Sequence, residues 1–277
     1  MQFLTYSYFT CLGLSLNRDQ KEWDECREIQ ANKRKLIRRP FNEWIVEQGL
    51  PELPNTYPFM PRTQKLTIYA FPEEIDYTDV IQQPKNYFRI DAFIRSDNEK
   101  FTIPQKLVNK TGKLVYLSLG SMGSADLNLM NRLVSILSKS PNRFIVSKGP
   151  LHDKYELADN MWGDRYLPQT KLLEFVDLVI THGGNNSLTE AFYFGKPMIV
   201  VPLFADQYDN AQRMQEKGFG IRINPYDFEE NELLNGIEKL LNDNDLHKRL
   251  EIISKRIRSS NSLSKAAEIL ENIAIKK

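Results

Sequence analysis

Cysteine, histidine, net charge and long apolar runs are all scarce in this chain, and each shortage excludes a class of protein. Two cysteines among 277 residues, Cys11 and Cys26, form at most one disulfide, which excludes a disulfide-stapled scaffold. With three scattered histidines they give no zinc-ligand spacing. Lys and Arg number 37 against 36 Asp and Glu, so no global field attracts nucleic acid or an anionic membrane. We expect a small-molecule partner and a cytoplasmic location.

The most apolar stretch, residues 3–16, lacks the features of a targeting segment. No positive charge precedes it, polar residues interrupt it, and no small-residue cleavage site follows. It is therefore predicted to be an internal strand or buried segment. No run reaches the ~20 apolar residues that a membrane helix needs, so no transmembrane segment is predicted.

The first third of the chain is charged and then rich in proline. Residues 19–47 are compatible with a helix that carries five basic residues between 33 and 39. A nucleic-acid surface is one interpretation, but acidic neighbours and the lack of interleaved aromatics favour a solvated helix face. Residues 50–84 contain six prolines and one apolar run at 66–71, which indicates loops and an edge strand. No pattern indicates the oligomeric state.

From residue 109 onward, short apolar runs alternate with helix-compatible stretches. The apolar runs lie at 114–119, 144–146, 178–181 and 198–201. Helices are predicted at 125–138, 187–194, 209–217, 229–241, 245–258 and 263–275. This alternation is typical of βα units. The predicted fold class is therefore α/β, with a parallel, doubly wound sheet.

Two turns that follow predicted strands carry ligand chemistry. Ligands of doubly wound sheets bind beyond the carboxyl ends of strands, where the next helix presents amides and the positive end of its dipole. The turn SLGSMG at 118–123 has glycines that admit a phosphate or serve tight packing. The turn THGGNNSLTE at 181–190 joins His182 and two glycines to Glu190, which offers acceptors to a diol. Ser187 and Glu190 alone would indicate a capping box, but the combination favours a nucleotide site.

Asp206 and Gln207 follow the next predicted strand. Asp206 by itself is equally well explained as a helix N-cap. A carboxylate beside an amide can also bind vicinal sugar hydroxyls, because both offer acceptors and Gln207 adds donors.

These segments resemble a known family. VITHGGNNSLTEAFYFGKPMIVVPLFADQYDNAQR resembles the donor signature of family-1 UDP-glycosyltransferases, and VYLSLGSMG resembles their other phosphate loop. The resemblance is strong over residues 109–223 and faint before them. It implies a GT-B fold whose Rossmann-like C-terminal domain binds a UDP-sugar as co-substrate, with no further cofactor and no metal. The Asp-x-Asp sequence at 243–245 precedes a predicted helix and is interpreted as a cap.

The resemblance also implies a role for each matching position. Tyr166 stacks on uracil, where plant members usually have tryptophan, and the Leu167 backbone pairs with the edge of the base. Gln169 lies beside base and ribose, and Glu190 holds the ribose. Asn185 replaces a tryptophan of the plant members. The diphosphate contacts are Ser121, His182, Gly184, Asn186 and Ser187. The sugar contacts are Asp206 and Gln207.

The acceptor-activating base of this family usually comes from a histidine in an N-terminal acceptor domain. No histidine precedes His152, and local sequence places His152 in a loop and His247 on a helix surface. Only about 110 residues precede the donor segment, where a full acceptor domain needs roughly 200. The expected organisation is a partial acceptor domain and linker at 1–108, a donor domain at 109–258, and a C-terminal helix at 259–277 that packs back on the N-terminal part.

The predicted function is hexosyl transfer from a UDP-sugar to a small lipophilic hydroxyl acceptor, by an inverting, metal-independent mechanism. Gln207 beside Asp206 resembles glucose users. The alternative is a UDP-sugar-binding protein that lacks the base. The His-Gly-Gly sequence at 182–184 also suggests an esterase oxyanion hole, but a G-x-S-x-G nucleophile elbow is missing from the sequence.

Overall fold

One long helix dominates the N-terminal part of the chain. The computed structural model describes residues 12–53, 65–95 and 100–275. Helix α1 spans Gln20–Glu47 and begins after Asp19, whose carboxylate accepts a hydrogen bond from the Glu22 amide at 2.9 Å. Its buried residues are few: Trp23, Asn42 and Ile45. The basic cluster at 33–39 is largely exposed, as the solvated-face interpretation predicts.

Residues 3–16 were predicted to form an internal strand or a buried segment, and the strand is wrong for the described part, because residues 12–16 form no strand. Gly13 is buried and the other residues of this part are half-buried. They lie as coil against the C-terminal half of the chain. The Gly13 amide donates to the Asp209 carboxylate at 2.9 Å, and Arg222 donates to the Gly13 carbonyl at 2.8 Å. Side chains therefore bind the backbone groups that a neighbouring strand would otherwise pair. Cys11 and residues 3–10 lie outside the described ranges.

Two short parallel strands form a small sheet. Strand β1 is Thr67–Ala70, within the predicted run at 66–71, and it pairs with β2, Tyr87–Ile90. Two single 3₁₀ turns, Glu73–Ile75 and Tyr77–Asp79, lie between them. Strand β2 was not predicted, because its four residues mix apolar and charged side chains and only the pairing with β1 makes them a strand.

The main sheet has six parallel strands in the order β5-β4-β3-β6-β7-β8. Their bounds are β3 Leu114–Ser118, β4 Arg143–Ser147, β5 Met161–Asp164, β6 Leu178–Thr181, β7 Met198–Val200 and β8 Gly220–Arg222. The four predicted apolar runs became β3, β4, β6 and β7. The two edge strands, β5 and β8, were missed because edge strands are less buried and each of these contains a glycine.

The predicted helices are all present, with bounds shifted by a few residues. They are α2 Leu127–Leu137, α3 Asn185–Tyr193, α4 Gln207–Glu216, α5 Glu230–Asn242, α6 Asn244–Arg258 and α7 Ser262–Ile275. Single helical turns lie at Gln105–Val108, Gly120–Gly123 and Gln169–Leu172. Asp243 caps α6 by accepting from the Leu246 amide at 2.9 Å, which confirms the cap interpretation of the Asp-x-Asp sequence.

The core lies around the central strands. Every residue of β3, β6 and β7 is buried, as expected for parallel strands covered by helices on both faces. The predicted α/β fold with a parallel, doubly wound sheet is confirmed. No helix among the described residues is long and apolar enough to span a membrane.

Arginines on the helices bind the small sheet to the main one. Arg213 on α4 is only 2% exposed and donates to the backbone carbonyls of Ile75 and Asp76 at 3.2 and 2.8 Å. Arg256 on α6 makes a two-pronged contact with Glu74, both distances being 2.8 Å. Helix α7 also contacts β2. The small sheet and the turns between its strands are therefore tied to α4, α6 and α7.

Candidate functional site

The strand order creates a crevice between β3 and β6. The chain builds the sheet outward from β3 to β5, then returns to the other side of β3 to add β6, β7 and β8. The loops that leave β3 and β6 therefore diverge, and this switch point is where doubly wound sheets bind ligands. Ser118 and Thr181, the last residues of the two strands, are paired directly. The predicted turns at 118–123 and 181–190 consequently flank the same crevice.

His182 joins these two turns, because its ring lies between two glycines. A Cβ on Gly120 would lie 2.9 Å from His182 Cε1, and a Cβ on Gly184 would lie 2.5 Å from His182 Nε2. Neither position accepts a larger residue unless the ring moves. Gly120 also has a φ of +70°, a conformation that favours glycine. Both predicted turns thus pack against the same imidazole ring.

The start of α3 presents backbone amides rather than a capping box. Its N-cap is Gly184, which has no side chain to bind the first amides, and Ser187 is already the third helical residue. The capping-box interpretation of Ser187 and Glu190 is therefore wrong. Asn186 is exposed at this end. An uncapped helix N-terminus has the geometry and dipole to bind an anion.

Glu190 is 1% exposed and belongs to a chain of polar contacts. Gln169 donates to its Oε2 at 2.5 Å, and the Tyr116 hydroxyl donates to Gln169 Oε1 at 3.2 Å. Tyr116 thereby orients the Gln169 amide so that its NH₂ group faces the carboxylate and, at 3.4 Å, the Ser187 hydroxyl. Gln169 and Glu190, predicted as neighbours of the ribose, are thus in direct contact, and Ser187, predicted as a diphosphate contact, lies beside them.

Burial shifts the pKa of two groups at this site, His182 and Glu190, in opposite directions. It lowers the pKa of His182, against the Ser118 backbone and the Asp206 charge, so the ring is neutral at neutral pH and carries one N–H donor. The Nδ1 atom is buried and has no well-aligned hydrogen bond. Burial raises the pKa of Glu190, while the Gln169 hydrogen bond and the charge of Arg95 oppose this and favour the carboxylate.

Tyr166 and Leu167 lie in the loop after β5. Tyr166 is 62% exposed, and one face of its ring is 5.2 Å from the guanidinium carbon of Arg165. Leu167 is half-buried. The exposed ring is available for stacking against a planar ligand, and β5 ends on the same edge of the sheet as β3 and β6.

Asp206 and Gln207 lie beyond β7, at a strained turn. Ala205 has a φ of +54°, which is uncommon for a residue with a side chain. Asp206 occupies the N-cap position of α4, as one interpretation predicted, but its side chain makes no cap bond and instead accepts from Asn210 at 3.0 Å. Gln207 is 3% exposed, and its Oε1 accepts from the amides of Leu203 and Phe204. The prediction that Gln207 offers acceptors to a ligand is corrected, because two backbone amides already occupy its oxygen. Gln207 has only its NH₂ group left for a ligand, and that group is a donor.

Ser121 is exposed in the helical turn after β3, and Gly123 at the end of this turn packs against Leu203 of the β7 loop. All eleven predicted site residues thus lie on the carboxyl edge of the main sheet, on loops or helix starts after β3, β5, β6 and β7. Their binding roles stay predictions.

Sequence reasoning missed three contacts. Tyr116 looked like one more apolar strand residue, although its hydroxyl donates to Gln169 Oε1. Arg95 lies with one Nη 3.8 Å from Glu190 Oε1. Asn185 donates to the Ala70 carbonyl of β1 at 3.0 Å, which ties the start of α3 to the small sheet. Neither long-range contact has a local signal in the sequence.

The fold and the loops define the class of this protein: a doubly wound α/β protein with a candidate ligand site at its switch point. The chain belongs to the UDP-glucoronosyl and UDP-glucosyl transferase family, whose model matches residues 102–258. The predicted family is therefore confirmed.

Individual relatives agree with this assignment. An uncharacterized UDP-glucosyltransferase of Bacillus subtilis, YojK, is 26% identical over 88% of this chain and 57% of its own length. Human UDP-glucuronosyltransferase 2B17 is 33% identical over 50% of this chain and 27% of its own. The chain thus spans only part of the length of these relatives.

Solved structures share the fold at low identity. The glycotransferase of kitacinnamycin superposes with a TM-score of 0.69 at 22% identity, covering 91% of this chain and 64% of the other. A UGT transferase from Siraitia grosvenorii in complex with UDP superposes with a TM-score of 0.51 at 20% identity, and the match covers 61% of this chain and 48% of the Siraitia chain. These likenesses support the fold.

Proposed function

We propose that this chain binds a UDP-sugar and forms the donor half of a UDP-glycosyltransferase. The observation that carries the proposal is the His182 ring, held between Gly120 and Gly184 at the switch point and beside the uncapped start of α3. A neutral imidazole N–H and free helix amides converge there, which is the arrangement that a diphosphate requires. Family membership supports the same ligand.

The order of the loops along the sheet edge fits an elongated donor. Tyr166 after β5 would stack on the base, Glu190 would hold the ribose, and His182 after β6 would bind the diphosphate. Asp206 after β7 would bind the sugar. Four strand spacings separate β5 from β7, or about 19 Å at ~4.8 Å each, enough to spread the parts of a nucleotide sugar over successive loops.

The chemistry we propose is inverting hexosyl transfer without a metal. The bond from the anomeric carbon to the diphosphate breaks while the acceptor hydroxyl attacks the opposite face. Negative charge that develops on the departing UDP is stabilised by the His182 N–H and the α3 amides. Glucose and a small lipophilic acceptor are the substrates we propose. A base must take the hydroxyl proton, and we assign it to no residue of this chain.

A second candidate function is UDP-sugar binding without transfer. It is favoured by the sequence, in which no histidine precedes His152. His152 itself lies in the turn that follows β4, and His247 lies on α6.

Calorimetric titration with UDP and UDP-glucose, with CMP as the control nucleotide, tests the binding proposal. A product assay with UDP-glucose and a phenolic acceptor then distinguishes the two functions. Binding followed by glucoside formation supports the transferase, whereas binding without product supports the second candidate. A chain that binds UDP no better than CMP would contradict both.

A further inference from the structure

Among the described residues before the main sheet, Arg95 is the charged residue that the structure places against Glu190. It lies five residues after the end of β2, in the segment that leads from the small sheet to the main one. One Nη is 3.8 Å from Glu190 Oε1, and its charge also acts on the Tyr116 hydroxyl. Arg95 therefore lies at the outer end of the polar chain Tyr116–Gln169–Glu190.

The contact with Glu190 leaves N–H donors of the Arg95 guanidinium available for another acceptor. Charge-assisted hydrogen bonds between arginine and carboxylate measure roughly 2.7–2.9 Å, which is well short of this separation. The Arg95 side chain is 75% exposed, whereas Glu190 is 1% exposed, so the guanidinium approaches the buried carboxylate from the solvent side. A guanidinium has five N–H donors in a flat fork, so most of them point elsewhere than at Glu190.

The position of Arg95 along α3 suggests what these donors bind. Glu190 follows the helix start at Asn185 by five residues, or about 7.5 Å along the axis. A nucleoside diphosphate with its ribose at Glu190 and its phosphates at the helix start passes between these two points. The Arg95 guanidinium lies at the Glu190 end of this path, from which its remaining donors can reach the 5′ phosphate.

The site also needs a full positive charge. His182 is neutral at neutral pH because burial lowers its pKa, and a helix N-terminus supplies only about half an elementary charge. Glu190 adds a negative charge close to the diphosphate. The Arg95 guanidinium, placed between the Glu190 carboxylate and a phosphate, would offset the negative charge of each.

We infer that Arg95 is a donor-binding residue that binds the ribose-linked phosphate of the UDP-sugar while it faces Glu190. This inference rests on the proposed function. It assigns the segment before the donor domain a direct part in nucleotide recognition.

Calorimetry with UDP and with uridine separates a phosphate contact from an effect on Glu190. For Arg95→Ala we expect UDP to bind at least 10-fold more weakly while uridine changes less than 2-fold. Arg95→Lys should recover part of the UDP affinity, and the salt dependence of UDP binding should be shallower in Arg95→Ala than in the wild type. The control is Arg39→Ala, which removes an exposed arginine paired with Glu43 on α1 and should alter neither ligand.

Three results would overturn the inference. Equal losses for UDP and uridine would mean that Arg95 acts on the ribose site alone, and unchanged UDP affinity would mean that it acts on neither. If the wild type bound uridine and UDP equally well, no phosphate contact would exist to assign. A wild type that binds no UDP contradicts the proposed function itself, and is thereby distinguished from failure of the Arg95 assignment. Retained uridine binding shows that the variants are folded.

Discussion

Glu190→Gln separates ligand binding from folding at this site. The substitution keeps size and keeps an oxygen for the Gln169 hydrogen bond, but it removes the charge that would accept from the ribose hydroxyls. Hydrogen bonds to a charged group contribute about 1.5–3 kcal/mol, so UDP should bind roughly 10- to 150-fold more weakly. Isothermal titration at pH 7.5 measures this directly.

The same substitution should stabilise the fold. Burial raises the pKa of Glu190 in the fold above its value in the unfolded chain. The stabilisation from protonating it is present below the ordinary Glu pKa of about 4.3 and is lost as pH rises through the folded pKa. At pH 7 the buried carboxylate therefore costs stability that glutamine does not. Urea unfolding should show a higher midpoint for Glu190→Gln at pH 7, with the difference shrinking below about pH 4.

A matched control is Glu251→Gln, which removes an exposed carboxylate paired with Lys255 on α6. It should change neither UDP affinity nor the urea midpoint measurably. UDP affinity of Glu190→Gln within 2-fold of the wild type would refute the ribose role. A lower midpoint at pH 7 would refute the reasoning about burial.

Three further substitutions test the other parts of the structure. His182→Ala should weaken UDP binding by about 1–3 kcal/mol in calorimetry, through loss of a hydrogen bond to phosphate, whereas His247→Ala should not. Gly184→Ala should also weaken UDP binding, because the new Cβ would displace the His182 imidazole. In the control Gly236→Ala, the new Cβ would have no neighbouring atom nearer than 3.4 Å, so UDP affinity should stay at the wild-type value. If Gly184→Ala bound UDP as tightly as this control, the packing argument would be contradicted. Arg213→Met leaves the buried Ile75 and Asp76 carbonyls without a donor and should lower the free energy of unfolding in urea by about 2–3 kcal/mol. A change below about 0.5 kcal/mol, which is typical of surface substitutions, would show that these hydrogen bonds do not stabilise the fold.

The buried Gln207 oxygen shows why a motif residue needs its structure. From its place beside Asp206 it was expected to offer both acceptors and donors to a sugar. The strained turn at Ala205 instead folds the side chain back, and two loop amides occupy the oxygen. If Gln207 binds the sugar, it does so as a donor, and it also holds the β7 loop in the shape that presents Asp206.

The sequence by itself determined the central sheet, the helices around it and the position of the site along the chain. Strands β3, β6 and β7 are mainly apolar runs, so local composition predicts their burial. The glycine-containing turns follow β3 and β6 directly in the sequence. Tertiary structure decided which turns meet. His182 lies against Gly120 and Tyr116 orients Gln169 because the strand order brings their segments together, and Arg95 faces Glu190 because the small sheet packs against the donor segment. These pairs are 53 to 95 positions apart in the sequence. Local periodicity carries no information about that order, since it depends on which buried faces pack together.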